Sequence, residues 1–195
     1  MLKTILLFAL ACATAILGGA WSVDYVLNKS ASFGAVSVGP WVAFPTMGTA
    51  EADPYMRARY ARDGTLALGR AEGIAFRAWS DSSGALLSRS CDYAIEGTTP
   101  PARFWTLYAS DAEQVPLGPV GLRQAALSSL SVLRVDQAER FTVTVSADPA
   151  PFNWLPLSGE GAFQLVLTLY DTPLANQTDA ASNILPAIRR TGCHD

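Results

Sequence analysis

Two regimes of hydrophobic patterning divide this chain. From Thr4 to Val23 it runs without a charge, bracketed by Lys3 and Asp24. A helix of about twenty residues, rising about 1.5 Å each, reaches roughly 30 Å, the hydrocarbon thickness of a bilayer. Trp21 and Tyr25 stand where amphipathic rings rest among headgroups. Lys3 and the free amine favour a cytoplasmic N-terminus, an effect partly offset by Lys29. The first reading is a retained single-pass transmembrane anchor over residues 1–27. A cleaved signal peptide competes with it: the same stretch offers a basic start, an apolar core to Leu17, and the small residues Gly18, Gly19 and Ala20. Against cleavage, apolar character continues through Trp21, Val23, Val26 and Leu27. A lipoprotein reading through Cys12 is weaker, because the apolar run ahead of it is short. Either way, the rest of the chain is expected outside the cytoplasm.

From Gly73 onward the period of the pattern is two. Phe141, Val143 and Val145 alternate with Thr142, Thr144 and Ser146, as in a half-buried strand. Phe163, Leu165, Leu167 and Leu169 form an apolar face opposite Gln164, Thr168 and Tyr170, and Cys91, Tyr93 and Ile95 alternate with Asp92 and Glu96. Further strands are expected at Ile74–Trp79, Arg103–Ala109 and Ser131–Val135. Turn signals at Asp81–Gly84, Thr98–Pro101 and Asp148–Pro151 separate them, and Asp136–Glu139 reads as a hairpin closure. Gly121–Ser129 is ambiguous between a loop and a helical turn. Before this region, Asp53-Pro54 is a helix start, with an aspartate N-cap and proline at the first helical position. That helix should run over 54–62 and stop at Gly64. Six or more short strands at this spacing predict a β-sandwich or jelly-roll-like fold with one short helix, preceded by the transmembrane helix. The expected organisation is an anchor (1–27), an arm packing on the domain (28–52), the sandwich (53–172), and a tail (173–195) in which Ile184, Leu185, Pro186 and Ile188 lay back on it.

Composition narrows the function classes. A net charge of -3 supplies no basic footprint for nucleic acid. Of the three cysteines, Cys12 lies inside the apolar segment, leaving Cys91 and Cys193 as a pair for an oxidising compartment. Their bridge would close a loop of roughly 100 residues, for which chain entropy gives about 4.7 kcal/mol and measured values are more often 2–4. Two free thiols are the alternative.

Several segments resemble a known family. Asp53-Pro54-Tyr55, Ala61-Arg62, Pro101-Ala102-Arg103-Phe104-Trp105-Thr106, Asn153-Trp154-Leu155-Pro156 and Phe163 to Tyr170 are similar to a bacterial family of unknown function, number 1214. The resemblance spans roughly 37–170, and its best signals are the Arg-Phe-Trp-Thr strand and the Asn-Trp-Leu-Pro corner. It implies a β-rich, jelly-roll-like fold. It also implies a short, membrane-anchored version of proteins whose N-terminal half is often a companion domain, number 1254. It assigns no catalytic residue and no cofactor.

Candidate chemistry is sparse. The single histidine, His194, is one residue from the end, a poor platform for a catalytic base, and one histidine with two exported cysteines gives no metal-ligand spacing. Glu72, Asp92, Glu96 and Glu160 are the carboxylates that could do acid–base work. Asp92 and Glu96 share a strand face, although a solvated edge is the plainer reading. Glu72, beside Gly69 and Gly73, could cap a backbone instead. Trp41, Trp79, Phe104, Trp105, Tyr108, Trp154 and Tyr170 could form a sugar- or lipid-binding platform, yet at strand spacing such rings are more often core. Asn153-Trp154-Leu155-Pro156 reads as a corner whose asparagine satisfies turn amides. Arg57, Arg59, Arg62 and Arg70 could meet anionic headgroups or simply form a solvated face. Asn28-Lys-Ser30 and Asn176-Gln-Thr178 match a glycosylation pattern that matters only in a eukaryotic secretory route.

The sequence therefore predicts a cell-envelope protein, held in the inner membrane by one span, with its domain in the periplasm or another extracytoplasmic space. A non-catalytic ligand- or protein-binding module is the leading expectation. The alternatives are a carboxylate-dependent enzyme acting on envelope carbohydrate or lipid, and a structural subunit docking on a companion envelope protein.

Overall fold

The computed structural model describes residues 2–29, 34–64, 68–69, 71–121, 125–134, 139–176 and 184–194. Helix α1 (Leu2–Lys29) carries one stretch, Leu2–Tyr25, long and apolar enough to cross a membrane, with none of it buried against the protein. Helix α2 (Pro54–Asp63) begins as expected: Asp53 Oδ1 accepts from the amides of Tyr55 and Met56, and Pro54 occupies the first turn. Gly64 ends it in the left-handed conformation, its N–H returning to Tyr60 O.

The rest is a mainly β fold of two sheets. The larger sheet has the order β1-β2-β3-β9-β5-β6, built from Val36–Val38, Trp41–Ala43, Gly73–Ala78, Gln164–Tyr170, Phe104–Ser110 and Ala126–Ser128. The smaller has the order β10-β4-β7-β8, built from Ala187–Cys193, Cys91–Gly97, Phe141–Ser146 and Trp154–Pro156. All pairings are antiparallel except β7 with β8. The sandwich thus draws β1 and β2 from the 28–52 stretch and β10 from the 173–195 stretch, as well as strands from between them.

The alternation seen in the sequence becomes the core between the sheets. Ile74, Phe76 and Ala78 of β3, Trp105, Leu107 and Ala109 of β5, and Leu165, Leu167 and Leu169 of β9 face Tyr93, Ile95, Val143, Val145 and Leu155 of the other sheet. Trp105 stacks on Phe141 at a centroid distance of 5.2 Å, and the buried Trp41 donates its indole N–H to Pro186 O at 2.7 Å.

Three local expectations change. No strand forms over the described part of 131–135; residues 128–132 instead make a turn closed by the Ser131 and Val132 amides on Ser128 O. The short strand β6 lies just before it, inside the stretch that was ambiguous. Third, Gln164, Val166 and Thr168 are buried although they lie on the outward side of β9, because that strand is central and covered on both faces. Most of the Asp136–Glu139 closure, Arg70, Ser30 and Thr178 lie outside the described residues, as do the side chains of Arg59, Asn28 and Asn176.

Candidate functional site

The covered outer face of the larger sheet holds a cavity of about 310 Å³. Its floor follows directly from register. Tyr108, Val166 and Arg77 form one cross-strand row, Thr168 and Ala75 the next, and Tyr170 with Gly73 a third, while Ser110 stands opposite Gln164 at the far end. Phe44, Pro45 and Met47 from the chain after β2, together with Tyr60 of α2, Leu68 and Gln114, complete the lining. Gly73 sits in a tight place: its φ is +153°, and a Cβ there would lie 2.1 Å from Leu169 O, so only glycine lets β3 approach β9 at this rim.

Two polar side chains in this cavity are buried and unsatisfied. Gln164, 2% exposed, gives its amide nitrogen to Asp111 O at 3.0 Å, which turns Oε1 away as an acceptor with no partner among the described residues. Ser110, 0% exposed, has an Oγ in the same condition. Such atoms cost about 1–3 kcal/mol each when unmet, and an ordered water is the ordinary partner for groups this deeply buried. Burial pushes the Tyr108 phenol up from its ordinary range, with Tyr170 adding to the shift and Arg77 opposing it; the hydroxyl therefore stays protonated at neutral pH. Arg77 is the one charged side chain among the described lining residues.

The residues singled out from sequence fall elsewhere or serve structure. Asp92 and Glu96 lie on the outer face of the smaller sheet, away from the cavity, and are engaged by β10 and by the His194 that follows it. Glu96 pairs with Arg189, and Asp92 Oδ2 lies 2.8 Å from His194 Nε2, leaving Asp92 Oδ1 buried without a partner among the described residues. His194 is thus tied to β4, its amide donating to Ser90 O at 2.8 Å. Glu72 accepts from the Gly69 amide at 2.9 Å, capping a turn, and Glu160 is exposed. Cys193 faces Cys91 in the β10–β4 register with the sulfur atoms at disulfide distance.

The aromatic candidates divide. Trp41, Trp105 and Trp154 are core, and Trp154 donates to Ser146 O and Oγ at 3.1 Å each. Tyr108 and Tyr170 line the cavity, with Phe104 against Tyr170 at 5.8 Å, while Trp79 is exposed outside it. Arg103 makes an exposed pair with Asp171 at 3.8 Å, and Arg57 donates to Ala50 O. Asn153 fixes its corner through three bonds: Nδ2 to Leu133 O and Thr142 O, and Oδ1 from Leu133 N. Pro156 then ends β8. Among the described residues no cluster of histidine, cysteine or carboxylate side chains could hold a metal ion.

Sequence reasoning passed over Gln164 and Ser110. The available signal was a glutamine inside a run whose other outward positions include Val166, which marks a strand covered on both faces.

Comparison with known proteins yields no match among curated proteins. Among solved structures, the VPA0106 protein from Vibrio parahaemolyticus is similar over 92% of this chain and 44% of its own, with 18% identity and a TM-score of 0.62. An uncharacterised protein from Burkholderia cenocepacia aligns over 92% of this chain and 51% of its own, at 13% identity and a TM-score of 0.40. The first likeness extends to the fold, and this chain spans about half or less of either protein. Residues 72–174 match the model of a family described as protein of unknown function (DUF1214), and the chain belongs to that family.

Proposed function

We propose that this chain is an extracytoplasmic binding module, held at the cell membrane by α1, that takes a small ligand on the outer face of its larger sheet and does no chemistry on it. The observation carrying the reading is the cavity of about 310 Å³ itself, floored by Tyr108, Val166 and Thr168 of the sheet and walled by Phe44, Met47 and Tyr60 from segments that cross it. That volume is at the small end for ligand sites, and a few polar groups among apolar walls are what fixes a ligand's orientation. Against carboxylate catalysis, Asp92 and Glu96 are engaged by His194 and Arg189 on the opposite side of the sandwich.

The test is a ligand screen by saturation-transfer NMR on the full chain in phosphatidylcholine nanodiscs. The set contains saccharides, fatty acids and short peptides. At least one compound should bind, and binding should disappear in Val166→Trp, which fills the floor of the cavity, and in Ala75→Leu, which narrows it. Circular dichroism confirms that both variants fold. Absence of any ligand, or binding indifferent to both substitutions, would overturn the reading.

Docking on a companion envelope protein is a second reading, with its own observation. Asn153 ties the Leu133 backbone next to Phe152, which is 81% exposed, and Leu130 and Leu133 are also exposed. If that apolar patch is the functional surface, Phe152→Ser should abolish co-migration with the partner and leave small-molecule binding untouched.

A further inference from the structure

Resting on the reading of α1 as a retained anchor, we infer that the exposed patch of Leu130, Leu133 and Phe152 is a second membrane contact, seated in the headgroup layer of the bilayer that α1 crosses. Register places the patch relative to the anchor. One row runs across the whole larger sheet: Val36, Ala43, Phe76, Leu167, Leu107 and Leu127. The chain enters β1 from one side of that row through Gly34, and it leaves β6 on the same side through Ser129 and Leu130. The Ser129 amide donates to Trp105 O, and Trp105 stacks on Phe141 at the start of β7, so the smaller sheet shares this end. Asn153 completes it by bonding Leu133 and Thr142, which sets Phe152 beside them. The entry from α1 and the apolar patch therefore occupy one end of the sandwich.

The tether is short. Gly34 follows Lys29, the last residue of α1, by a stretch of chain that spans roughly 18 Å at most. That end of the sandwich is thus held close to the surface from which α1 emerges, and a protein docking there would have to fit between the domain and the bilayer. Leu130, Leu133 and Phe152 are 87%, 60% and 81% exposed. Fixed backbone presents two of them: Leu130 sits in the turn closed on Ser128 O, and Phe152 is held at a φ of +64° beside Asn153. Leucine and phenylalanine side chains at headgroup depth make a shallow interfacial contact. The border carries both signs, Arg103, Arg134 and Arg140 with Glu139 and Asp171, so the contact rests on apolar insertion and not on attraction to anionic lipid. Leu86, 71% exposed, is as apolar but lies beyond the other end of β3, where it bridges to Ser80.

The test uses the full chain in phosphatidylcholine nanodiscs doped with lipid that carries a doxyl quencher, either shallow or deep in its acyl chain. A nitrobenzoxadiazole fluorophore is placed at Leu130→Cys, at Phe152→Cys and, as the apolar control, at Leu86→Cys, each combined with Cys12→Ser. Labelling without reductant keeps Cys91 and Cys193 bridged. The shallow quencher should dim the Leu130 and Phe152 sites at least about twofold more than the Leu86 site, as expected of side chains at headgroup depth. With the label at Leu133→Cys instead, the pair Leu130→Ser and Phe152→Ser should bring quenching down to the Leu86 level, which a label inserting by its own hydrophobicity would not show. A fluorophore on Cys12 of the unaltered chain reports α1 through the deep quencher. If Cys12 is quenched while the Leu130 and Phe152 sites match Leu86, the anchor stands and the inference is overturned. If Cys12 escapes quenching, the anchor reading fails and the inference falls with it. Labels at Leu130 and Phe152 that shift to the blue in native membranes yet stay unquenched in nanodiscs would assign the patch to a protein partner and overturn the inference too.

Discussion

Asn153 is the residue whose role reads most directly from sequence to energetics. An asparagine before Trp-Leu-Pro signals a corner, and its amide does close one, bridging the Leu133 amide and carbonyl to Thr142 O. It also holds Phe152 at a φ of +64°, a backbone conformation that a bulky side chain adopts only under constraint. Asn153→Ala should therefore cost about 2–3 kcal/mol, since backbone groups lose partners and the strained neighbour loses its anchor. Urea denaturation should show the midpoint falling with an unchanged slope. Gln164 is the opposite case. Its neighbours Leu165, Leu167 and Leu169 define the core face, and on a two-sided strand that makes Gln164 a solvent residue. What covers it is the turn after β5, whose Asp111 carbonyl takes its amide N–H, a contact across 53 residues that no local period encodes.

At the scale of elements, β10 shows how a terminal strand is held by side chains more than by its own pattern. Only Ile188 of the strand is buried, yet the strand is fastened at successive points. Ser82 Oγ accepts from the Ile188 amide, and Arg190 bonds Leu86 O, lies 3.5 Å from Asp81 and covers the Tyr93 ring. Of the four residues expected to lay back on the domain, Leu185, Pro186 and Ile188 are buried and Ile184 is exposed, and the charged run Arg189-Arg190 hid the strand because it pairs with carboxylates on two other segments. Asp81 sits at the centre of this arrangement. Burial pushes its carboxyl up, but the Ser83 hydroxyl, the Ala85 and Ser83 amides and Arg190 together outweigh that and hold it below the ordinary value. A depressed carboxylate contributes stability that is full above its unfolded value, near 4, and is lost as pH falls through the lower folded value. Hydrogen exchange at the Ile188 and Arg190 amides should accelerate in that acid window before the β5–β9 amides do. Asp81→Asn should flatten the pH dependence while lowering stability at neutral pH.

For the whole molecule, the mainly β architecture was legible because six or more short alternating strands at regular spacing point to a sandwich or jelly roll, whereas the site was not, because it forms where separate segments converge on one sheet face. The leader was legible in length but not in fate, and the cysteines offer a way to decide it. Cys12 lies in α1, while Cys91 and Cys193 meet across the β10–β4 edge. Full chain isolated from its native membranes, denatured without reductant and alkylated with a mass-tagged maleimide, reports compartment and processing together. One adduct is the expected outcome: Cys12 free on a retained anchor, with the other two thiols bridged in an oxidising space. No adduct and a mass shortened at the N-terminus would mean the leader is removed and the domain released. Three adducts would place the domain in a reducing compartment and end the extracytoplasmic reading, because a bridge between facing thiols at a sheet edge forms readily wherever oxidant is present.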